Sequence, residues 1–453
     1  MAAERPADPA WAWAPYVPDA EHPWDLRRAG HLYRRAAFGA DWDQLQQALR
    51  EGPQRTIDRL LHPEADVEAF NAAHDGYETP ASDTGSADGL RAWWLRRMIE
   101  TPHPLLEKVT LFWHGYFATS NARVNSPRLM RDHASMLRRR ALGSFAELLQ
   151  DVSHDPAVLL WLGADANRKS QPNPSYPRHL LAEFTLGDGG YSEKDVAEAA
   201  RAFTGWFVVR KELRYLAREH DGGVKEFLGQ SGNWGGKDVV RIALEQPATA
   251  RFVVRKLYRW LVSETDQPPD ELLRPLADSF AADFDVARLV GTMLRSNLFF
   301  SDAAYRQRVK GPVEFAMGII RGLEGMVPTA RLGADLAQLG QNLYHPSTVK
   351  GWAGGRHWLN DWTVLERSKL ARALLAGSGP YGKKLNPSAV AARHGHAGPE
   401  SAGRFLLDLF VQGDVEPGAI EALRTAAEAG GDLPDLVRRF AHGIVTLPEF
   451  QLA

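Results

Sequence analysis

The stretch that decides the fold is YPRHLLAEFTLGDGGYSEKDVAEAARAFTGW, residues 176–206. It predicts a helix over 176–186 that stops at Gly187, because glycine readily adopts the left-handed conformation that ends a helix. Ser192 and Asp195 then have the spacing of a capping box, which predicts a second helix over 193–204. A helix, a glycine stop and a capped helix in direct succession are typical of a mainly helical protein.

The same helical periodicity continues on both sides of this stretch, and no internal repeat is visible. The exception is 206–228, where residues with a high propensity for β-strands predict a hairpin. Residues 224–228 are a candidate third strand. We therefore expect a mainly α fold, a multihelical single large domain over 25–453 with a small antiparallel β-hairpin excursion near 206–228.

The remaining segments are rich in residues that break helices. Pro, Ala and Trp dominate residues 1–24, which predicts an irregular N-terminal arm. The polar segment 163–175 carries two prolines and predicts a long loop, a kind of segment that often has a function. Flexible loops are predicted over 76–89 and 377–402 as well.

Composition excludes several classes of function. The 54 basic and 56 acidic residues leave a net charge of -2, which favours neither nucleic acid nor an anionic membrane surface as a partner. The absence of cysteine excludes iron–sulfur clusters and thiolate nucleophiles, so a metal would need His, Asp, Glu or carbonyl ligands. There is no GxGxxG motif, so no dinucleotide cofactor is expected. No apolar run of membrane-spanning length and no signal-peptide pattern occurs, so we expect a cytoplasmic protein.

Two histidine sites are candidates for acid–base chemistry. His114 lies in the apolar sequence LFWHGYF, where a half-buried imidazole would titrate near neutral pH. His220 and Asp221 follow the predicted hairpin and precede two glycines. The structural alternatives are a core histidine bonded to a carbonyl and an ordinary Asp-Gly turn. If a divalent transition metal is bound, His114, His220 and Asp221 are the predicted ligands, and His179 is a further candidate catalytic residue.

Arginine and tryptophan side chains indicate where a substrate would be held. Arg35 lies within one helical turn of His31 and Arg34, and arginine forks suit carboxylate, sulfate or phosphate groups, although they also suit structural ion pairs. The loop 350–362 is rich in tryptophan, whose faces stack on sugars or cations. The residues predicted to bind substrate are His31, Arg35, Arg178, Lys225, Trp352, Arg356 and His357.

Several segments, in the same order along the chain, resemble the bacterial family known as the domain of unknown function 1800. They include HLYRRAAFG (31–39), FWHGYFAT (112–119), residues 176–206, the segment from His220 to Gly229, and PATARFVVRKL (247–257). The resemblance covers about 25–451 and implies a mainly helical fold without a settled activity. Members of the family often look secreted and often accompany sulfatase-like proteins, which hints at polysaccharide or envelope biology.

The chain departs from the family pattern at polar positions. Tyr116 replaces the second histidine of a Trp-His-Asn-His-Phe motif, and Gln246 replaces the histidine of His-Pro-Ala-Thr-Ala. Pro174, Ser175, His179 and Ala182 replace Glu, Asn, Glu and Glu. A family site built from those groups has therefore lost much of its chemistry here.

Two functional hypotheses follow. In the first, the protein is an enzyme whose His-, Arg- and Trp-lined cleft acts on an anionic, sugar-like or aromatic small substrate, with metal-assisted and metal-free chemistry both open. In the second, it is a non-catalytic protein that binds a glycan or a peptide and has lost the acidic residues of the family. The sequence leaves the oligomeric state open.

Overall fold

The computed structural model describes residues 8–63, 66–83, 85–427 and 433–453. Over these residues the chain forms a mainly α domain with two small antiparallel sheets, which confirms the predicted fold class. The α-helices are α1 (Pro9–Ala12), α2 (Leu26–Ala36), α3 (Trp42–Glu51), α4 (Pro53–Leu61), α5 (Val67–Ser82), α6 (Ala87–Glu100), α7 (Pro104–Tyr116), α8 (Asn121–Val124), α9 (Pro127–Arg140), α10 (Phe145–Ser153), α11 (Pro156–Leu162), α12 (Ser175–His179), α13 (Glu193–Ala202), α14 (Gly236–Leu244), α15 (Pro247–Leu261), α16 (Asp270–Ala281), α17 (Val286–Arg295), α18 (Pro312–Gly322), α19 (Thr329–Gln338), α20 (Asp361–Leu375), α21 (Pro387–Arg393), α22 (Pro399–Val411), α23 (Pro417–Ala427), α24 (Leu433–Thr446) and α25 (Pro448–Gln451).

The deciding stretch folds largely as its sequence predicts. Helix α12 continues directly into a π-helical segment, Leu180–Thr185, and Gly187 follows with a φ of 72°. Ser192 accepts a hydrogen bond from the Asp195 amide, and the Asp195 carboxylate accepts one from the Ser192 amide at 2.8 Å. This reciprocal cap satisfies amide groups that the first turn of α13 leaves without helical partners.

Two helices form the centre of the core. Helix α7 is buried at all positions except Leu106 and Gly115, and α18 is buried at all positions except Arg321. Such helices are buried on all sides because they are apolar on nearly all sides. The few charged groups that they carry must therefore find partners inside the protein.

Two consecutive residues of α7, Glu107 and Lys108, belong to two different buried ionic clusters. Glu107 accepts hydrogen bonds from Arg97 at 2.6 Å, from Arg138 at 2.9 Å and from the Trp94 indole at 2.8 Å. Lys108 donates to Glu314 of α18. Removing one partner of such a buried pair costs about 3–5 kcal/mol, because the other charge is left uncompensated.

The β structure confirms the hairpin and corrects the third strand. Strand β1 (Trp206–Val209) pairs with β2 (Glu212–Tyr215), and Phe207 lies opposite Arg214. Strand β3 (Lys225–Phe227) does not join them but pairs with β4 (Gln230–Gly232). A 3₁₀ turn at Ala217–Glu219 redirects the chain between the two hairpins.

The predicted flexible loops are in part helical. Helix α5 extends through residue 82 and α6 begins at residue 87, so most of 76–89 is helix. Asp66 caps α5 and Ser86 caps α6, and the exposed face of α5 hid the helical pattern. In the same way, α21 and the first turn of α22 lie within 377–402.

The N-terminal arm is only partly irregular. Residues 1–7 lie outside the described part, and α1 forms a single helical turn. Trp13 donates to the Leu272 carbonyl at 2.6 Å and Trp24 to the Ala48 carbonyl at 2.9 Å, so the arm packs on the domain through its indoles. Within the described ranges, no helix is both long enough and apolar enough to cross a membrane.

Candidate functional site

The best-formed acid–base pair of the structure is one that the sequence did not predict. His133 is the seventh residue of α9, and Asp155 is the N-cap of α11. The Nδ1 atom of His133 lies 2.7 Å from Asp155 Oδ2. The other carboxylate oxygen accepts from the Ala157 amide at 2.7 Å, so the cap of α11 also fixes the orientation of the carboxylate.

This contact determines the tautomer of the imidazole. An ionised carboxylate can only accept hydrogen bonds, so the proton lies on Nδ1 and the lone pair of a neutral ring lies on Nε2. The Nε2 atom of His133 is buried and has no hydrogen-bond partner among the described residues. An imidazole held in this way by a carboxylate has the arrangement of a general base.

His133 and Asp155 line a cavity of about 360 Å³. Volumes of this order hold small ligands. Other residues that line it are Arg128, Asp132, Met136, Asp151, Lys211 and Leu213. The cavity therefore combines an apolar floor with charged groups of both signs.

The tip of the β1–β2 hairpin contributes Lys211 to this wall. Arg210 and Lys211 form the two-residue turn with φ values of 53° and 66°, a geometry that normally selects Asn-Gly. Lys211 donates to the Val124 carbonyl, and Arg128 donates to the Lys211 carbonyl at 3.3 Å. Unfavourable backbone geometry of this kind is often retained at functional sites.

His114 lies behind this pair in the core. Its Nε2 accepts a hydrogen bond from the Tyr344 amide at 3.0 Å, and its ring packs edge-on against Trp94. Burial, together with repulsion from His133 and His345, lowers the pKa of His114 to about 3. His114 is therefore neutral at physiological pH and carries its proton on Nδ1.

Several buried polar atoms, including one on each of His114 and His133, lack partners within the described part of the chain. They are His114 Nδ1, His133 Nε2, Arg138 Nη2, Asn342 Oδ1 and the Tyr344 hydroxyl. Buried polar groups are nearly always paired with protein or water, so a group of orphans indicates bound water or ligand. The prediction that His114 is half-buried and titrates near neutral pH is wrong, because the side chain is fully buried and burial lowers its pKa to about 3. It is a core histidine, as in the structural alternative, but its partner is an amide and not a carbonyl.

The predicted His220 site has a structural role instead. His220 Nδ1 donates to the Thr204 carbonyl at 2.9 Å. Asp221 receives two hydrogen bonds from Arg201, at 2.7 and 3.2 Å, and this pairing lowers the pKa of Asp221 to about 2. Lys225 is buried and donates to the Asp221 and Gly223 carbonyls at 2.6 and 3.0 Å. These side chains close a loop and do not face a common ligand.

His179 and Arg178 are also occupied. His179 Nδ1 donates to the Ser175 carbonyl of its own helix at 2.7 Å. Arg178 forms a two-pronged contact with Glu193 at 2.6 and 2.7 Å and links α12 to α13. Arg178 therefore forms an ion pair between two helices and does not face the predicted cleft.

The residues of α2 are buried too deeply to form a surface cleft. His31 Nε2 donates to the Phe299 carbonyl at 3.0 Å, and Arg35 donates to the Ala304 carbonyl at 2.8 Å. Burial lowers the pKa of both side chains. Only their neighbour Arg34 lines a cavity, which is small and separate.

The tryptophan-rich loop is divided between core and solvent. Trp352 packs against His114 with ring centroids 5.6 Å apart. Arg356 and His357 are exposed, and Trp362 is 61% exposed. Two of the predicted substrate-binding residues contact a predicted catalytic residue: Trp352 packs on His114, and Lys225 donates to the Asp221 carbonyl.

No group of three or more His, Asp or Glu side chains in the described residues could hold a metal ion. The predicted metal site of His114, His220 and Asp221 is therefore wrong as a ligand set. Each of these side chains has a separate partner in the fold.

A larger groove of about 980 Å³ lies beside the cavity and shares Asp151 with it. Helices α10, α14, α15 and α16 enclose the groove, which has no histidine in its wall. The groove can hold a ligand but offers no imidazole for acid–base chemistry. None of the residues predicted as catalytic or substrate-binding lines the groove or the two smaller cavities.

One sequence signal could have located His133. It lies on the same helical face as Leu129, Met136 and Leu137, at spacings of three and four residues, and this face is buried. A histidine in such a stripe needs a polar partner inside the protein. The identity of that partner, Asp155, depends on how α9 packs against α11 and could not be read from spacing.

The comparison with protein families agrees with this fold. The family described as "Protein of unknown function (DUF1800)" matches residues 31–452. The chain therefore belongs to the DUF1800 family. No curated protein and no solved structure matches the chain.

Proposed function

We propose that the protein is an enzyme that uses the His133–Asp155 pair as a general base. In this reaction, His133 Nε2 takes a proton from a water molecule as the water oxygen attacks an electrophilic centre of the substrate. The imidazolium then gives this proton to the leaving group as the scissile bond breaks. Asp155 keeps the ring in the active tautomer and stabilises the imidazolium that forms. This step needs no metal ion, and the class of reaction is hydrolysis.

The observation that supports this proposal is the unpaired Nε2 of a buried imidazole next to a cavity. Buried His31 and His114 also have one unpaired ring nitrogen, but their other nitrogen bonds to a backbone group, whereas that of His133 bonds to the Asp155 carboxylate. His220 has its ring hydrogen bond with a backbone carbonyl, which is the structural alternative realised in the same protein.

The cavity favours a small polar molecule as the proposed substrate. Its volume of about 360 Å³ is near the lower end of the range for ligand pockets. Arg128 is about half exposed, at 52% of its side chain, and lies 3.9 Å from Asp132, so its fork can exchange this weak contact for an anionic or sugar-like group. We infer a substrate with at least one such group.

A panel of p-nitrophenyl esters, phosphates and glycosides tests this function. His133→Asn should lower the turnover of any accepted compound by about 10²–10⁴-fold, the usual contribution of a general base. His22→Asn, a change of an exposed histidine, is the matched control and should retain full turnover. Wild-type turnover that His133→Asn retains would rule the proposal out.

A second candidate function rests on an exposed apolar surface. Trp362, Val364 and Leu365, at the start of α20, are 61%, 51% and 60% exposed. Exposed aromatic surface is typical of contact with a glycan or a peptide. If the protein is a non-catalytic binder, Trp362→Ala should weaken retention on immobilised polysaccharide, whereas His133→Asn should leave retention unchanged.

A further inference from the structure

A small interior cavity of about 20 Å³ lies between α2, α18, α22 and α25. Its wall includes Arg34, Lys310, Glu314, Gln412 and Phe450. A space of this size holds one water-sized species.

Two cationic side chains in this wall have unused hydrogen-bonding capacity. Arg34 is 6% exposed, and its Nη1 donates to Gln412, but Nε and Nη2 have no partner among the described residues. Lys310 is 4% exposed and lies 3.7 Å from the Phe450 ring centroid. Its ammonium group makes no hydrogen bond to any part of the chain that the structure describes.

The two cations also repel one another. After burial, Arg34 is the largest cause that lowers the pKa of Lys310. Burying like charges together is costly unless an opposite charge lies between or beside them.

The carboxylates of this region are already engaged. Glu314 accepts from Arg308 at 2.7 and 2.6 Å, from the Gly311 amide at 2.8 Å and from Lys108. Asp414, which lies near Arg34, pairs with Arg27 and Arg306 at 3.3 Å each.

The result is an excess of positive charge in the core. Six cationic side chains are almost fully buried in this cluster, against the buried Glu314 and the half-buried Glu264 and Asp414. The six are Arg34, Arg35, Lys108, Arg308, Lys310 and Arg367.

We propose that the cavity binds a monatomic inorganic anion of the chloride class, held by Arg34 and Lys310. The Nε and Nη2 groups of Arg34 and the Lys310 ammonium supply donors, and the cavity has the size of a single ion. The anion joins α2 to the C-terminal helices. Gly30 permits this closure, since a Cβ atom there would lie 2.3 Å from the Gln412 side chain.

Bromide provides a direct test with the wild-type protein. Crystals grown in sodium bromide should show an anomalous scattering peak in this cavity, within hydrogen-bond reach of Arg34 and Lys310. A cavity that contains only a water molecule under these conditions would overturn the proposal and would indicate that Lys310 is buried in its neutral form.

Thermal unfolding tests the site in solution. At constant ionic strength, replacing sodium gluconate by sodium chloride should raise the Tm of the wild type by about 2 °C or more, because an ion that binds only the folded state stabilises it. Lys310→Met should abolish this difference. Lys369→Met, which changes an exposed lysine, should retain it.

The two measurements together decide the outcome. A bromide peak without any chloride-dependent change in Tm would identify an ion bound at crystal concentration only, and the proposal would fail. If Lys310→Met does not fold, Lys310→Gln takes its place, and the wild-type comparison of chloride with gluconate remains decisive.

Discussion

Two neighbourhoods of the protein, each with a histidine and an aspartate, differ in sequence separation, in bonding and in burial. His220 and Asp221 are adjacent in the sequence, but the histidine bonds to Thr204 and the aspartate to Arg201. His133 and Asp155 are 22 residues apart, yet they bond directly at 2.7 Å. The first pair is partly exposed, and the second is buried beside a cavity.

The difference shows what makes a histidine available for chemistry. Peptide geometry points the side chains of consecutive residues in different directions, so neighbours in sequence seldom orient one another. An N-cap carboxylate is already fixed by backbone amides, and it can therefore hold an imidazole in one tautomer. Availability for catalysis depends on which ring nitrogen remains free.

The change with the largest expected effect removes the orienting carboxylate. Asp155→Asn should lower turnover by about 10³–10⁴-fold, because an amide at this position can donate to Nδ1 and then favours the inactive tautomer. The measurement is kcat on the best compound of the chromogenic panel, with nitrogen-15 NMR of the imidazole to identify the tautomer. Unchanged kcat with a switched tautomer would contradict the catalytic role of the pair.

The next largest effect concerns His114, which lies behind His133. Because the pKa of His114 is about 3 in the folded state and 6.5 unfolded, the unfolded state binds a proton first as the pH falls. Stability should therefore decrease from pH 6.5 towards pH 3, by several kcal/mol in total from this residue. His114→Gln should flatten the pH dependence of the free energy of unfolding in urea.

Two outcomes define this experiment. His357→Asn, at an exposed site, is the control and should leave the acid slope as it is in the wild type. If His114→Gln has the same acid slope of the unfolding free energy as the wild type, folding does not lower the pKa of His114 and the prediction is wrong.

A smaller effect is expected at the sequence-adjacent pair. The bond to Arg201 lowers the pKa of Asp221 from 3.8 to about 2, so it contributes stability above pH 4 that is lost as the pH falls through 2. Asp221→Asn should cost about 1–2 kcal/mol at neutral pH, reduced for partial exposure, and should leave kcat unchanged. A double-mutant cycle with Arg201→Gln should show that the two losses are not additive. A lower kcat for Asp221→Asn would instead show that Asp221 takes part in catalysis.

The smallest effect is expected at the hairpin that borders the cavity. Arg210→Asn should stabilise the protein by about 0.5–1 kcal/mol, since asparagine tolerates a positive φ better than arginine. Lys211→Asn should show no such gain, because it loses the bond to the Val124 carbonyl. Thermal unfolding of both variants gives the comparison, and a destabilised Arg210→Asn would refute the strained-turn interpretation.

Local rules predicted the helices well where caps were strong. Ser192 and Asp195 form the expected capping box, and Asp41 and Gln44 form another at the start of α3. The rules failed where a helix is mainly exposed, as in α5, whose only buried residue is Ser82. Without an apolar stripe, its polar and glycine-containing sequence looks like a loop.

The site was harder to predict than the fold because it depends on contacts between distant helices. His114 was correctly singled out as lying among apolar residues, but its low pKa and its bond to Tyr344 come from a loop 230 residues away. The pairing of His133 with Asp155 requires α9 and α11 to pack. The partners of Arg178 and Lys225 likewise lie on neighbouring elements, which turned candidate substrate contacts into structural ones.

The buried Lys108–Glu314 pair has a consequence for synthesis on the ribosome. Its two members are separated by 206 residues, so at roughly 5–20 residues per second the lysine is made about 10–40 s before its partner. During that interval, α7 exposes an apolar surface and an ammonium group with no carboxylate to receive it. The nascent N-terminal half is therefore expected to need a holding chaperone, and the centre can close only after α18 has been synthesised.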